Sequence, residues 1–350
     1  MHFIKKAYKK FNKNSYKSFI LAGDIGGTNA AFGIFGIKNK PSLLLSFHFK
    51  SRELKNLYNV INETLNYIKK TCKINITKAC FGAAGAVSPK RDYVHLTNAR
   101  LDIPVQEIKK KTKLKKILLI NDFEAVGYGV NALSKNDIKT IKKAAKIAKA
   151  PIVVIGAGTG LGKTLLLYNE DKKMYIPLAS EAHHSDFPAQ DKNEFELVDF
   201  IKKFRKIKTV SNGDIVSGEG LVNIYSFLRK NKKFKATKFT KEIDKSKNKP
   251  ELISKYRKAD NTCRETFQIF KNAYARFAKN MALDALAYGG VYIAGGIAPK
   301  NKEIFDKKFV KIFEENHKMG HILKKIPIYL ILNYNIGMLG AGFAASKLAK

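Results

Sequence analysis

The stretch Leu118-Leu-Ile-Asn-Asp-Phe-Glu-Ala125 decides the fold of this chain. It is part of an apolar run, residues 117–120, that ends abruptly in Asn121 and Asp122. Apolar residues then recur at helical spacing, at Phe123, Val126, Val130 and Leu133. This pattern predicts a buried strand that delivers an Asn-Asp pair to the start of a helix. Since ligands bind at the carboxyl ends of strands in open α/β sheets, Asp122 is either a general base or merely the helix N-cap.

The composition indicates a globular protein with a net positive charge. The 350 residues are 45% hydrophobic, which allows a sizeable core and predicts two domains. Lys and Arg number 66 against 29 Asp and Glu, giving a net charge of +37. These cations are spread along most of the chain, and no RNA- or DNA-binding motif accompanies them. We therefore expect an enzyme that attracts anionic ligands such as nucleotides, without a specific nucleic-acid partner.

The cysteines and the first residues bear on location. Three scattered cysteines, Cys72, Cys80 and Cys263, form neither a disulfide framework nor a metal motif, so a reducing, cytoplasmic compartment is expected. No apolar run approaches the length of a membrane span, and no membrane partner is expected. Residues 1–18 are basic, contain no acidic residue and lack the apolar core of a secretory signal, which predicts a frayed basic tail.

A glycine turn follows the first predicted strand. The strand, residues 19–24, ends in Asp24, and Ile25-Gly-Gly-Thr-Asn29 leads into a second strand, residues 30–37. Adjacent glycines let backbone N–H groups approach a phosphate, and Thr28 adds a hydroxyl. Asp24 is suited to hold Mg²⁺ through water. The alternative is an ordinary Gly-Gly hairpin.

The same arrangement recurs in the second half. A strand at residues 151–155 runs into Gly156-Ala-Gly-Thr-Gly-Leu-Gly162, and residues 163–168 resume as a strand. A P-loop would need glycine at Ala157 and a helix afterwards. We therefore predict a second phosphate-binding hairpin, and with it a duplicated fold. The segment between the halves, residues 138–150, is rich in Lys and Ala and predicts a solvated helix or a linker.

Three further motifs follow. Glu181-Ala-His-His184 lies in a polar loop and is suited to a ligand, although it supplies too few groups for a zinc site. The alternative is a solvated loop with incidental histidines. Ser217-Gly-Glu-Gly220 precedes an amphipathic helix, and residues 289–296 form a buried strand ending in a third glycine pair. A last strand at residues 328–332 and a helix at 337–349 close the chain.

Together these motifs resemble those of the bacterial-type glucokinases, of the hexokinase/actin-like ATPase superfamily. The order is Asp24-Ile-Gly-Gly-Thr-Asn29, Ile120-Asn-Asp-Phe123, Gly156–Gly162, Glu181-x-x-His184, Ser217-Gly-x-Gly220 and Ile293-Ala-Gly-Gly-Ile297. The resemblance runs from Phe19 to the C-terminus. It implies an α/β, two-domain actin-like ATPase (ribonuclease H-like) fold with an interdomain cleft. After the tail, residues 19–121 and the C-terminal helix 333–350 would form a small domain, and residues 122–332 a large one.

The resemblance also implies roles. Asp122 resembles the base that takes a proton from the 6-hydroxyl of glucose. The residues that resemble sugar ligands are Asn98, Asn121, Glu181, His184 and Asp214. Those that resemble the nucleotide site are Gly23, Asp24, Ile25, Gly26, Gly27, Thr28, Gly158, Thr159, Gly160, Gly295 and Gly296. ATP with Mg²⁺, bound near Asp24 through water, and glucose are the expected cofactor and substrate, and a homodimer is expected.

Two positions depart from the family pattern. Ala31 stands where the family usually carries Arg near the nucleotide, and Gly213 stands where it carries a sugar-binding Glu, with the shorter Asp214 next to it. Gly213 motivates one alternative, a kinase for another hexose or amino sugar. Ala31 and the net charge motivate another, a non-catalytic sugar-sensing or polyanion-binding protein. The presence of Asp122, Glu181 and His184 favours an enzyme.

Overall fold

The computed structural model describes residues 4–8, 11–96, 99–232 and 234–348. These form two compact units. The first contains the described residues up to Lys135, the segment Leu166–Ala179 and the described residues from Asn333 onward. The second contains Asn136–Leu165 and the described part of Ser180–Leu332. None of the described helices is both long and apolar enough to cross a bilayer.

Strands and helices are labelled in chain order. The strands are β1 (Ile4–Ala7), β2 (Ser18–Ile25), β3 (Asn29–Ile37), β4 (Pro41–Lys50), β5 (Lys78–Ala83), β6 (His95–Leu96), β7 (Leu101–Asp102), β8 (Lys116–Asn121), β9 (Ile138–Lys142), β10 (Ile152–Ala157), β11 (Leu161–Asn169), β12 (Met174–Leu178), β13 (Gly290–Ala294) and β14 (Ile328–Ile331). The helices are α1 (Leu57–Cys72), α2 (Val105–Lys111), α3 (Asp122–Val130), α4 (Lys192–Arg205), α5 (Gly218–Lys230), α6 (Lys238–Lys245), α7 (Lys249–Tyr256), α8 (Asn261–Ala285), α9 (Lys307–Glu314), α10 (Gly320–Leu323) and α11 (Ile336–Lys347).

The first sheet brings the predicted catalytic motifs to one edge. Its strand order is β1-β4-β3-β2-β5-β8, with β2, β5 and β8 mutually parallel. The register aligns Ile25 with Ala83 and Ala83 with Asn121. Because the carboxyl ends of parallel strands meet at the same edge of a sheet, only β5 lies between Asp24 on β2 and the Asn121-Asp122 pair at the end of β8.

The N-terminal segment is not entirely a frayed tail. Ile4–Ala7 forms β1, which pairs antiparallel with β4, from Ile4 opposite His48 to Ala7 opposite Leu45. The prediction is therefore wrong for this part of the tail. All four residues of β1 are exposed, so apolar patterning could not reveal the strand. By pairing with β4, β1 satisfies backbone N–H and C=O groups that would otherwise be unpaired at the edge of the sheet.

The second sheet has the order β12-β11-β10-β13-β14-β9. β10, β13 and β14 are parallel, and β9 runs antiparallel to β14. The prediction of a solvated helix or linker from residue 138 onward is wrong for β9. Lys142, which reads as a surface residue, is buried, and its Nζ donates to the Leu323 and Ile326 carbonyls at 3.0 and 2.9 Å.

Helix α3 packs against α11 through backbone contact. A Cβ on Gly340 would overlap the Ala125 carbonyl and lie 2.5 Å from the Gly129 nitrogen. A Cβ on Gly129 would lie 2.7 Å from the Ile336 carbonyl oxygen. This packing places α3 in the first unit, whereas the sequence assigned it to the large domain.

We expect Gly340→Ala to destabilise the protein by about 3 kcal/mol, the upper end of the usual cost of overpacking, because the obstacle is backbone. The gain in helix propensity of ~1 kcal/mol offsets this only in part. Urea unfolding of the whole protein measures the loss. Gly296→Ala is the matched control, since nothing lies within 4 Å of the added methyl. Equal stability of the two variants would contradict the packing argument.

Candidate active site

At the start of α3, the residue that caps the helix is Asn121 and not Asp122. Asn121 is the N-cap: its Oδ1 accepts from the Phe123 N–H at 2.8 Å and the Glu124 N–H at 3.3 Å. Its Nδ2 donates to the Gly85 carbonyl at 3.2 Å. The alternative that Asp122 is the N-cap is therefore wrong. Asp122 is the first helical residue, and its Oδ1 accepts from the Phe123 N–H at 2.9 Å.

Asp24 and Asp122 interact electrostatically. Desolvation raises the pKa of Asp24 to about 6, and the negative charge of Asp122 adds to the rise. The carboxylate also lies at the start of α11, where a Cβ on Gly337 would be 3.0 Å from Asp24 Oδ2. Once Asp24 is ionised, its carboxylate and the negative charge of Asp122 repel each other, so a cation placed between them and a substrate phosphate would be favoured.

The first glycine turn is fastened by Ser51. The Gly26 N–H donates to the Asn29 carbonyl at 3.0 Å, closing the turn. Ser51 Oγ donates to the Gly26 carbonyl at 2.6 Å, and the Ser51 N–H donates to the Thr28 carbonyl at 3.0 Å. The exposed Thr28 stands at the tip.

Two residues predicted beside this turn lie in the core instead. Ile25 is fully buried, and a Cβ on Gly23 would lie 2.7 Å from the ring of Phe81. Gly23 is thus explained by packing, and either residue would meet a ligand only through its backbone.

A lysine that the sequence analysis missed stands next to the same turn. Lys50 is exposed, pairs with Asn29 in the register of β3 and β4, and donates from Nζ to Asn29 Oδ1 at 3.0 Å. It brings a cation to the turn that precedes Ala31, the β3 residue that stands where the family pattern has Arg. The pairing of β3 with β4 creates this proximity, so no local sequence signal identifies it.

Glu124 is a second residue that was missed. Glu124 is 2% exposed, and its carboxylate accepts from both terminal nitrogens of Arg91, at 2.9 and 3.1 Å. Such a bidentate pair fixes both side chains strongly. It anchors the first turn of α3 two residues after Asp122.

Three hydrogen bonds fix the second glycine turn, Gly158–Gly160. The Gly158 N–H donates to the Gly160 carbonyl at 2.8 Å, and the Gly218 N–H at the start of α5 donates to the Gly158 carbonyl at 2.8 Å. The Leu161 N–H donates to His183 Nδ1 at 3.1 Å. The exposed Thr159 stands at the tip. The positive end of the α5 dipole therefore lies against this turn.

The third glycine pair adjoins the second turn. β10 and β13 are parallel neighbours, and the Ile297 N–H donates to the Ala157 carbonyl at 3.1 Å. Gly295 has φ +84°, and a Cβ there would overlap the Ala157 carbonyl, so glycine is required for folding. A Cβ on Gly296 would meet nothing within 4 Å. Gly296 therefore leaves open space next to the turn.

The predicted sugar ligands of the second unit lie on two adjoining turns. Glu181 precedes and His184 ends a short 3₁₀ turn, Ala182–His184; both side chains are exposed, and the His184 N–H donates to the Glu181 carbonyl at 3.0 Å. Asp214 ends the next 3₁₀ turn, where its Oδ2 accepts from the Ser211 N–H and Oγ at 2.8 and 2.7 Å. Asn212 Nδ2 joins the turns by donating to the Ser185 carbonyl at 3.1 Å.

One predicted ligand, Asn98, lies outside the described residues. Within the part of the chain that the structure describes, no three His, Cys, Asp or Glu side chains are grouped so as to hold a metal ion.

Comparison with known proteins gives the family. A sequence model described as Glucokinase matches residues 21–348. The glucokinase of Trichormus variabilis is 33% identical over 347 residues, covering 95% of this chain and 100% of the relative. The crystal structure of a glucokinase from an Antarctic psychrotroph aligns with TM-score 0.77 and 26% identity, covering 97% of this chain and all of the other.

A glucokinase of Balamuthia mandrillaris, solved in complex with glucose, shares the fold with TM-score 0.76 at 19% identity, over 94% of each chain. The fold is thus the two-domain actin-like ATPase fold predicted from the sequence. The chain belongs to the glucokinase family and is an enzyme that phosphorylates glucose with ATP as phosphoryl donor.

Proposed function

We propose that the enzyme transfers the γ-phosphoryl group of ATP to the 6-hydroxyl of glucose, with Asp122 as the general base. One observation carries this assignment: the Asn121 side chain caps α3, so the helix start does not depend on the Asp122 carboxylate. The N-cap position and the base are then adjacent residues with different tasks. Phosphoryl transfer needs an aligned hydroxyl and charge neutralisation more than covalent chemistry, and a base at a rigid helix start meets the first need.

Glucose would be held by the groups on the two adjoining turns. Glu181, His184 and Asp214 offer hydrogen bonds to ring hydroxyls, and Ser211 orients the Asp214 carboxylate. Asn121 contributes its second Nδ2 proton, because the first is donated to the Gly85 carbonyl. Asn98 remains a sugar ligand inferred from the resemblance alone.

The lack of a carboxylate at Gly213 keeps one alternative open, a preference for another hexose or an amino sugar. Rates of ADP release across a panel of hexoses decide between the two.

The nucleotide would be bound by the glycine turns. Because the Gly26 and Gly158 N–H groups close their own turns, the N–H groups offered to phosphate would be those of the residues that follow, Gly27-Thr28 and Thr159-Gly160. Gly296 leaves room next to the second turn. Lys50 supplies a cation at the first turn, and the N-terminus of α5 adds partial positive charge at the second.

Asp24 would hold Mg²⁺ through water. The fit rests on its carboxylate, whose pKa is raised to about 6 by desolvation and by Asp122, so that a hard cation would relieve the repulsion. When bound, Mg²⁺ neutralises charge on the ATP phosphates. The homodimer and the cytoplasmic location stand as predictions from the sequence.

Asp122→Asn is expected to lower kcat for glucose by roughly 10²–10⁴-fold, the usual contribution of a general base. Thermal stability and the Kd for glucose should be nearly retained, because the amide keeps the size of the side chain and Asn121 still caps α3. Coupled assays and calorimetry measure the three quantities. Asp171→Asn, on the exposed turn between β11 and β12, is the matched control. A correctly folded variant with near-parental kcat would rule out Asp122 as the base.

Glu181→Gln is expected to raise KM for glucose roughly tenfold to hundredfold, corresponding to loss of a hydrogen bond to a charged group of about 1.5–3 kcal/mol. KM for ATP should change far less. Steady-state kinetics with each substrate varied separately give both values, and the exposed Glu196→Gln on α4 serves as control. If KM for ATP rises as much as KM for glucose, Glu181 is not a specific sugar ligand.

Gly296→Ala should raise KM for ATP by about tenfold while leaving the unfolding midpoint unchanged, because the added methyl meets no protein atom within 4 Å. The estimate follows the usual cost of about 1–3 kcal/mol for forcing a methyl into occupied space, here the space of the ligand. Gly295→Ala should instead lower stability, since its φ is +84°. An unchanged KM for ATP in Gly296→Ala would remove Gly296 from the nucleotide site.

A further inference from the structure

His183 lies between the two predicted sugar ligands but was assigned no role by sequence. It is the central residue of the 3₁₀ turn Ala182–His184, and its ring is partly buried. The rings of His183 and His184 are 4.6 Å apart, centroid to centroid. While the Glu181 and His184 side chains are exposed, the His183 side chain packs inward.

The ring of His183 occupies the space that a side chain at position 213 would need. A Cβ on Gly213 would overlap three ring atoms, Nδ1, Cε1 and Nε2. Gly213 is itself buried, and no positive φ accounts for the glycine. The absence of a side chain at 213, which distinguishes this chain from the family pattern, is therefore matched by an imidazole reaching in from the neighbouring turn.

The same ring contacts the second glycine turn. His183 Nδ1 accepts from the Leu161 N–H at 3.1 Å, and a Cβ on Gly160 would lie 3.2 Å from Nδ1. Since a backbone N–H is always a donor, Nδ1 is unprotonated and Nε2 carries the ring proton. One side chain thus connects the turn proposed to bind sugar with the turn proposed to bind phosphate.

We propose that His183 is a positioning residue that couples the sugar-binding turn to the phosphate-binding turn, with Gly213 providing the space for its ring. The proposal rests on the proposed function, because it takes Gly158–Gly160 as a nucleotide contact. His183 itself need not touch either substrate: it fixes the geometry of two turns that do.

Protonation of His183 Nδ1 would break its hydrogen bond with the Leu161 N–H. Burial and the neighbouring His184 lower the pKa of His183, against the opposing effect of Asp214. Residues 158–162 contribute no titratable side chain. The uncharged ring that accepts from Leu161 is therefore stable at neutral pH, and the bond is lost as the pH falls through the lowered pKa.

The test is a set of variants assayed with ATP and glucose. His183→Ala should raise KM for ATP about two- to tenfold, as expected for one hydrogen bond, with a smaller change in kcat. His183→Asn, whose Oδ1 can accept from Leu161 N–H, should recover most of this loss. A purely structural role would lower stability and kcat without selective recovery by Asn. The exposed His317→Asn is the control.

A double-mutant cycle tests the shared space. Gly213→Ala should raise KM for ATP by displacing the ring, and should add nothing in the His183→Ala background. The rise in KM for ATP on the acid side should be steeper in the parent than in His183→Asn. Asp24, which titrates near pH 6, contributes equally to both profiles. Additive effects, or identical pH profiles, would overturn the coupling.

Gly158→Ala separates this inference from the proposed function. Its Cβ would have its nearest neighbour, the Gly296 nitrogen, at 3.8 Å, so the fold tolerates it. If Gly158→Ala raises KM for ATP while His183→Ala leaves it unchanged, only the coupling is wrong. If neither variant changes KM for ATP, the turn does not bind phosphate, and both proposals fail.

Discussion

The backbone contact between α3 and α11 is the constraint on which the part of the first unit that carries the proposed general base depends. Two glycines, Gly129 and Gly340, let the helices approach until the backbone of one meets that of the other. The contact fixes where α3 begins, and therefore where Asp122 stands. It also sets the start of α11, which lies against Asp24. A C-terminal helix thus determines the environment of residues near the beginning and the middle of the chain.

The charges near the start of α3 differ in sign from the net charge of the chain. Despite a net charge of +37, two carboxylates, Asp24 and Asp122, lie at the edge of the first sheet, and the pKa of Asp24 is raised by burial and further by the charge of Asp122. Lys50 presents a cation beside the glycine turn that follows Asp24. In the proposed reaction the carboxylates would favour a metal and the Lys50 cation would favour phosphate, and these are the opposite charges that phosphoryl transfer requires.

The glycines of the motifs serve two different physical purposes. Gly23 and Gly213 make room for the rings of Phe81 and His183, and Gly295 adopts a backbone conformation that other residues avoid. Neither packing nor backbone conformation requires glycine at Gly158 and Gly296, because an added methyl group would meet little or no protein. A motif read as one phosphate-binding signature therefore mixes residues required for folding with residues that leave space for a ligand.

The sequence by itself determined the α/β class, the strands and helices that carry the motifs, and the family, because buried strands that end in Gly, Asn or Asp leave a local pattern. It missed β1 and β9, whose side chains are exposed or lysine-rich and whose pairing is decided by distant strands. Only the tertiary structure decided that Asn121 is the cap, that Lys50 stands by the first turn and that His183 fills the space at Gly213. Each of the last two depends on residues 21 to 30 positions apart meeting across strands or turns, and sequence periodicity carries no information about such contacts.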